Sequence, residues 1–408
     1  MNNTPMNPKA ILAALVLAAV ASAPSVRADL SITGADGSDG ALIVGTNTVI
    51  DLSKAISGNW TNTSAGPGNP GNGTYETNQW AVVFKYSSVV ISNGATLTFL
   101  NHITHAPVVW LVQSNVIING TLSLNGQPAV GDTINLAEPG PGGFRGGGGS
   151  SIYGSGTGFG PGGGSGNGAY SGVYGNPQNL PLIGGSGGQG YGYYGVNNGN
   201  GGGGAILIAA AQTIAIGSSG ACTADGGMGG NSVGVPSASG GAIRLVASQI
   251  SCSNLIEAVG GAGNNGIIRL EANSIIGNPT IRPYVQAVIP SNTPAIFPDS
   301  SVASVSVLSV SNLTAFLPAP LDPKATMSAN PNSDDFTLVT TNVVTIRLQT
   351  LNFPTNGTVT VFIKPRNANQ STVNATFVSG NTNSALWQVS NVALLNPAHT
   401  IIQARAAY

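Results

Sequence analysis

Charged residues are scarce in this sequence of 408 residues, which contains 13 lysines and arginines and 14 aspartates and glutamates. The charged fraction of 7% is far below the roughly 25% that is usual for soluble domains. A net charge of −1 gives no basic surface for nucleic acid and no attraction to an anionic membrane. Both are therefore excluded as partners, and uncharged polar side chains must keep the protein soluble.

Cysteine is rarer still, with only Cys222 and Cys252. Both take apolar positions in the repeats described below, where a free cysteine behaves as a small hydrophobic residue. We therefore expect two free, buried thiols. The alternative is a disulfide between stacked neighbouring coils.

Long apolar runs are missing beyond the N-terminus, so the mature chain is expected to have no membrane span. Residues 11–21 form one apolar run that is too short to cross a bilayer, and a small-residue cleavage site ends at Ala28. A rival cut after Ala23 would leave Pro24 in the first mature position, which peptidases disfavour. We predict a signal peptide over residues 1–28 and a secreted protein that is released or held at the cell surface by contacts.

Short strand patterns, by contrast, recur in residues 204–276, where repeats begin at Gly204, Gly241 and Gly266. Every second residue of each repeat is apolar, which is the period of a β-strand. The last two repeats start 266 − 241 = 25 residues apart, which is the length of one solenoid coil. The pattern predicts an all-β chain with a right-handed parallel β-helix over residues 29–290, whose first part is a cap.

Two earlier repeats, in residues 81–99 and 107–124, align with the later ones and predict inward columns of stacked side chains. The columns are Val82, Val108, Ile206, Ile243 and Ile268; Phe84, Trp110, Ile208, Leu245 and Leu270; and Tyr86, Val112, Ala210, Ala247 and Ala272. The aromatic side chains lie at the early end and alanines at the late end, so we expect the coils to taper.

A glycine-rich insert over residues 131–203 interrupts the repeats and cannot form a core of its own. It must therefore lie on the coils or be mobile. The outward positions Val83, Val109 and Leu207 are apolar, and we expect the insert to cover them, with a binding surface as the alternative. The insert also carries the binding residues that we predict, because tyrosines can stack on sugars: Tyr153, Tyr170, Tyr174, Tyr191, Tyr193 and Tyr194.

Prolines at positions 279–298 predict a linker, and residues 291–408 then show short strand patterns. Seven short strands at this spacing predict an immunoglobulin-like β-sandwich. We expect Trp387 in its core and a hairpin turn at residues 354–357. The predicted strands are residues 302–310, 336–341, 343–351, 358–364, 372–378, 385–392 and 400–406.

Several stretches together resemble a group of secreted, glycine-rich bacterial β-helix proteins. They are Phe84-Lys-Tyr-Ser-Ser-Val-Val-Ile, Ala106-Pro-Val-Val-Trp-Leu-Val, Pro141-Gly-Gly-Phe-Arg-Gly-Gly, Gly266-Ile-Ile-Arg-Leu-Glu-Ala and Asn356-Gly-Thr-Val-Thr-Val-Phe-Ile-Lys-Pro. The resemblance spans almost the whole mature chain. It implies a fold and an exported location, and it transfers no catalytic residue.

Carboxylates are few in residues 81–279: Asp132, Glu138, Asp225, Glu257 and Glu271. Enzymes with a β-helix that act on acidic polysaccharides gather carboxylates on one outer sheet to hold calcium or to form an acid and base pair. The repeat alignment assigns these five to different sheets or to the insert, so we expect no two of them to stack as a pair.

Three other patterns receive structural interpretations. Arg244 and Arg269 stack outward, and we expect a diagonal surface contact between Arg244 and Glu271 rather than a catalytic arginine. The spacing of His102 and His105 could bind a metal on a helix, but the pair lies between two coils and is interpreted as a turn. The aspartates of Asp36-Gly-Ser-Asp39-Gly are likewise interpreted as turn residues.

The sequence therefore predicts a secreted or cell-surface structural or adhesive protein without catalytic activity. We assign no catalytic residue, no metal ligand and no cofactor. Extracellular polysaccharide and other cell-surface proteins are the expected partners. The alternatives are a polysaccharide-active enzyme similar to pectate lyases and a glycan-binding module.

Overall fold

The computed structural model is an all-β protein. It describes residues 28–56, 73–76, 79–102, 104–129, 136–150, 154–163, 177–190, 198–228, 238–261, 264–283, 285, 287–299, 301–312, 343–365, 371–393 and 400–408. This part of the chain contains one short 3₁₀ helix, Leu52–Ile56, and no α-helix. Within the same residues, no helix has the length and apolar character needed to cross a membrane.

The strands of the first part of the chain are short and follow one another closely. They are β1 (Ala41–Val44), β2 (Thr48–Asp51), β3 (Thr74–Glu76), β4 (Ala81–Tyr86), β5 (Ser88–Ile91), β6 (Thr96–Leu100), β7 (Val108–Val112), β8 (Val116–Ile118), β9 (Thr121–Ser123), β10 (Gly149–Ser150), β11 (Gly154–Ser155), β12 (Ala205–Ile216), β13 (Ala221–Thr223), β14 (Ala242–Cys252), β15 (Leu255–Glu257), β16 (Ile267–Ile276) and β17 (Thr280–Arg282). Apart from β3, β10 and β11, these strands pair in parallel.

Two curled parallel sheets result. Sheet 1 has nine strands. The first half of the long strand β12 pairs with β7, which continues to β4, and its second half pairs with β8, which continues to β5 and β1. On its other side, β12 pairs with β14, and β14 pairs with β16. Sheet 2 has the order β17-β15-β13-β9-β6-β2. The chain thus passes through three strand positions in turn, two in sheet 1 and one in sheet 2, and then repeats them.

The predicted inward columns are confirmed by the strand register. Val82 pairs with Val108, Val108 with Ile206, Ile206 with Ile243, and Ile243 with Ile268. The columns that begin with Phe84 and Tyr86 follow the same register, and their members are buried in one continuous core. Side chains on parallel strands alternate between the two faces of the sheet, so this register places every second residue inside.

Both cysteines are free and buried, as expected. Cys222 pairs with Leu122 and Ile256 in sheet 2, and Cys252 pairs with Ile216 in sheet 1. Burial raises the pKa of the Cys222 thiol to about 12, with the neighbouring Cys252 and Asp225 adding to the shift. Both residues therefore act as small apolar core side chains.

The apolar outer strip of Val83, Val109 and Leu207 is covered, but mainly by segments other than the insert. Leu30, Ile32 and Ile296 are the buried side chains that pack on the strip from outside the coils, and Leu182 is the one insert residue that joins them among the described residues. The N–H of Leu30 donates to the carbonyl of Ala211, and the N–H of Ser31 to that of Asn292. Within the described residues, the N-terminal segment and residues 292–297 therefore occupy the strip, and the insert, which was expected to form the cover, contributes only Leu182.

The described insert residues instead form a hydrogen-bonded layer of glycine-rich segments. In residues 199–204, the backbone N–H groups donate to different neighbouring segments, and residues three apart donate to the same segment. Gly199 and Gly202 donate to the carbonyls of Gly147 and Phe144, Gly201 and Gly204 to those of Gln127 and Leu124, and Gly203 to that of Ser239. A repeat of three residues is typical of the polyproline II conformation.

Glycine is required in this layer because the segments approach one another closely. A Cβ atom at Gly202 would collide with the carbonyl oxygen of Gly185, and one at Gly187 with that of Arg145. The layer also bonds to the coils, since the N–H of Gly142 donates to the carbonyl of His105. Main-chain bonds to the coils therefore hold the described part of the insert in place.

The last part of the chain forms two antiparallel sheets from β18 (Ser304–Asn312), β19 (Val344–Leu351), β20 (Thr358–Pro365), β21 (Ser371–Asn374), β22 (Thr376–Gly380), β23 (Ser384–Val392) and β24 (Thr400–Ala407). One has the order β18-β19-β23-β22 and the other β21-β20-β24. Trp387 is buried in their shared core, as predicted. The predicted strand over residues 336–341 lies outside the described residues.

The turn at residues 354–357 is present but does not form a hairpin. The N–H of Gly357 donates to the carbonyl of Pro354 at 3.0 Å. The strands on its two sides, β19 and β20, belong to different sheets. The hairpin prediction is therefore wrong, because the chain crosses from one sheet to the other at this turn.

Candidate functional site

The six tyrosines predicted to bind a ligand are Tyr153, Tyr170, Tyr174, Tyr191, Tyr193 and Tyr194, and all of them lie outside the described residues. The candidate site must therefore come from other residues. The described coils hold three clusters of charged or titratable side chains. One lies on sheet 2, one on sheet 1 and one in the loop before β7.

The sheet 2 cluster contains two carboxylates that the fold brings together. Strands β13 and β15 are neighbours, with Cys222 opposite Ile256 and Thr223 opposite Glu257. Since Cys222 and Ile256 face the core, Thr223 and Glu257 face the outer side of the sheet. Asp225 follows Thr223 by two residues and therefore lies in the loop just after the C-terminal end of β13.

Hydrogen bonds fix the positions of both carboxylates. Oδ1 of Asp225 accepts from the N–H of Val259 at 2.8 Å, and the N–H of Asp225 donates to Oδ1 of Asn125 at 2.7 Å. Oε1 of Glu257 lies 2.8 Å from Nη2 of Arg282 on the next strand, β17. The Glu257 side chain is largely buried whereas that of Arg282 is 58% exposed, so the arginine closes the cluster on its solvent side.

Thr223 adds an unusual hydroxyl group to this cluster. The residue is 8% exposed, and its Oγ1 has no hydrogen-bond partner within the part of the chain that the structure describes. A buried hydroxyl without a partner is costly, and most such groups in proteins are paired. This hydroxyl lies on the outer face, in register with Glu257.

The environment of Asp225 changes its protonation. Burial raises the pKa of Asp225 to about 6; the hydrogen bond from Val259 lowers it, the charge of Glu257 raises it, and the charge of Arg282 lowers it. Asp225 therefore carries a proton for part of the time near pH 6. Val259, which donates to Asp225, follows Glu257 by two residues, so both carboxylates lie in the same part of sheet 2.

The strand register agrees with the expectation that no two of these carboxylates stack, since Thr223 and not Asp225 lies opposite Glu257. The assignment of Asp225 and Glu257 to different sheets is wrong, because Asp225 lies just after β13 and bonds to Val259, just after β15. The alignment that places Cys222 beside Ile256 already indicates that both residues belong to sheet 2. Corners of successive coils stack as the strands do.

The sheet 1 cluster confirms the predicted contact between Arg244 and Glu271 but corrects its setting. Nε of Arg244 lies 2.8 Å from Oε1 of Glu271, and Nε of Arg269 lies 2.6 Å from the same oxygen. The side chains of Arg244 and Glu271 are only 3% and 7% exposed, so this is not a surface contact. Insert residues lie over it, since Nη1 of Arg269 donates to the carbonyl of Pro177.

The third cluster is the predicted turn at His102 and His105. The N–H of His105 donates to the carbonyl of His102 at 2.8 Å, which confirms the turn. Nδ1 of His102 accepts from the N–H of Thr104, and the ring stacks on Tyr75 with centroids 4.3 Å apart. Burial lowers the pKa of His102 to about 4, so the ring is neutral at physiological pH. Both histidines are buried away from solvent.

Metal binding finds no support in the part of the chain that the structure describes. Those residues contain no group of three or more His, Cys, Asp or Glu side chains that could hold a metal ion. Asp36, which was interpreted as a turn residue, accepts a hydrogen bond from the N–H of Ser38 and lies 3.5 Å from Nζ of Lys85. This is the geometry of a local turn.

The sheet 2 cluster is therefore the best candidate site, because it combines two carboxylates and an exposed arginine with a buried hydroxyl that has no hydrogen-bond partner among the described residues. Comparisons with protein-family models, with curated proteins and with solved structures gave no match. The function must be argued from the geometry and the sequence.

Proposed function

We propose that this protein is an exported structural or adhesive protein whose first part is a right-handed parallel β-helix. Three strand positions that recur in the same order, joined by parallel pairing, support the β-helix. The right hand follows from the general preference of connections between parallel strands. The last part is an immunoglobulin-like sandwich in this proposal, supported by its four-stranded and three-stranded antiparallel sheets around Trp387.

The observation that carries the structural role is the unbroken register of the core columns. Each column from β4 through β7, β12 and β14 to β16 keeps its partners without a break. Solenoids with continuous columns are rigid and present extended surfaces, which suits a protein that binds a polymer or another cell surface. Given the composition, uncharged polar side chains would make up most of such a surface.

Export is proposed from the sequence of residues 1–28. Expression of the full chain in a bacterium, followed by N-terminal sequencing of the exported protein, tests it. Asp29 as the first residue is the expected result. A protein that stays in the cytoplasm with residues 1–28 attached would refute export.

Adhesion is tested by sedimentation of residues 29–408 with insoluble extracellular polysaccharides and with whole bacterial cells. We expect saturable co-sedimentation with at least one polysaccharide. Heat-denatured protein is the control for non-specific adsorption. A folded protein that stays in the supernatant with every polymer and every cell type would contradict the adhesive role.

A polysaccharide-active enzyme is the second candidate, and the proximity of Asp225 to Glu257 favours it. Two nearby carboxyl groups are the usual acid and base of glycoside hydrolysis, and burial raises the pKa of one of them, Asp225, to about 6. The test is release of reducing sugar or unsaturated product from the polymers that the protein binds. Turnover that disappears in Glu257→Gln would support the enzyme and replace the structural role.

A further inference from the structure

We propose that Thr223, Asp225, Glu257 and Arg282 form a binding site for an uncharged saccharide chain. The proposal rests on the adhesive function proposed above, and it assigns that function a site and a class of ligand. The site lies on the outer face of sheet 2, between β13 and β17.

The polar groups of the site have unused hydrogen-bonding capacity. Oδ1 of Asp225 and Oε1 of Glu257 are engaged by Val259 and Arg282, and the second oxygen of each carboxylate can accept further hydrogen bonds. Oγ1 of Thr223 is buried and has no partner among the described residues, so it can donate to one group and accept from another.

Neighbouring sugar hydroxyls match this arrangement. Each hydroxyl can donate to a carboxylate oxygen and accept from an N–H or O–H group. Arg282 supplies the N–H donors and is exposed, so a ligand can reach it from solvent. Oγ1 of Thr223 is covered in the free protein, so a ligand hydroxyl would reach it only after the atoms over it move aside. It would then give Thr223 a partner, which removes the cost of its buried hydroxyl.

The charges of the site select against acidic polymers. With both carboxylates ionised, their two negative charges and the single positive charge of Arg282 leave a net charge of −1. A uronic acid polymer would bring further carboxylates to this surface and would be repelled. A neutral glucan or mannan would meet no such repulsion.

The surface leading to the site is uncharged and regular, with three threonines and two apolar residues in one column. One outward column of sheet 2 consists of Thr96, Thr121, Ala221, Leu255 and Thr280, in register on five strands. With a strand spacing of about 4.8 Å, this column is roughly 20 Å long, enough for several sugar units. A second outward column, which contains Thr223, also includes Thr98 on β6 and Ser123 on β9.

The experiment measures binding of residues 29–408 to a soluble neutral β-glucan, a soluble mannan and polygalacturonate by affinity electrophoresis and calorimetry. We expect binding to at least one neutral polymer and none to polygalacturonate. Thr223→Val and Glu257→Gln should each weaken binding at least tenfold. Thr223→Ser keeps the hydroxyl and should bind like the wild type, and Asp36→Asn changes a carboxylate on a distant turn and should also bind normally.

Circular dichroism and the melting midpoint of each variant show whether it is folded, and the Thr223→Ser and Thr223→Val pair separates the hydroxyl from simple packing. If the wild type binds a neutral polymer and both Thr223→Val and Glu257→Gln bind equally well, the site is wrong while the adhesive function stands. If the wild type binds no polysaccharide in any assay, the adhesion to polysaccharide is wrong as well. Preferential binding of polygalacturonate, or turnover of the polymer, would also overturn the proposal.

Discussion

Glu271→Gln tests how much the buried ion pairs of the sheet 1 cluster contribute to the stability of the coils. Glu271 accepts from Nε of both Arg244 and Arg269 through a single oxygen. Nη1 of Arg244 is buried and has no hydrogen-bond partner among the residues described, so the carboxylate is the main compensation for that charge. Glutamine would keep the size of the side chain and remove the negative charge.

The expected cost follows from the burial of the pair. Removing one partner of a buried ion pair typically costs about 3–5 kcal/mol, because the other charge stays buried without compensation. Arg269 is more exposed than Arg244 and can turn toward water, so most of the loss should come from Arg244. At about 2–4 °C per kcal/mol for a domain of this size, the melting midpoint should fall by roughly 10 °C.

Thermal unfolding monitored by tryptophan fluorescence is the assay, since Trp110 lies in the coil core. Trp387, in the other core, is replaced by Phe in every sample. Asp36→Asn is the control, because the contact of Asp36 with Lys85 is exposed and its loss should leave the midpoint unchanged. Equal midpoints for Glu271→Gln and Asp36→Asn would refute the argument that the sheet 1 cluster is buried and coupled.

Three further outcomes are expected. Ile118→Asp should cost several kcal/mol and Ile117→Asp much less, because neighbouring residues of β8 point to opposite faces; equal melting midpoints would mean that the register is shifted by one. Since folding raises the pKa of Asp225 to about 6, the wild type should lose stability as pH rises from about 4 through 6. Asp225→Asn should therefore be more stable than the wild type by about 1–2 kcal/mol at pH 7.5, after allowance for solvent screening, and equal to it near pH 4 in denaturant titrations; a difference that does not change with pH would contradict this. Cys222 and Cys252 should react with a thiol reagent only after denaturation, and a reducing agent should not change the melting midpoint.

Local sequence patterns were sufficient to predict the inward columns. The repeats at Gly204, Gly241 and Gly266 give both the period of two and the alignment between strands, and parallel pairing then leaves one choice of inward face. The positions of Cys222 and Cys252 follow from the same alignment. These predictions succeed because a solenoid repeats one local environment in each coil.

The cover of the outer strip could not be predicted in the same way. The apolar character of Val83, Val109 and Leu207 indicates that something packs on them, but it does not identify the segment. Leu30 and Ile296 are far apart in the sequence and meet on this strip only after the coils have formed. The arrangement of the glycine-rich segments could not be predicted either, because main-chain hydrogen bonds hold them together and no side-chain pattern identifies the partners.

By itself, the sequence determined that the chain is all-β, which residues of each repeat face inward, and that both cysteines take apolar core positions. Only the tertiary structure decided that Arg244 and Glu271 are buried and that Asp225 lies beside Glu257 with Thr223 and Arg282. The physical reason is that inward positions are set by local alternation, whereas burial and pairing of outward charges depend on loops and corners of other coils. Those contacts join residues that have no fixed spacing in the sequence.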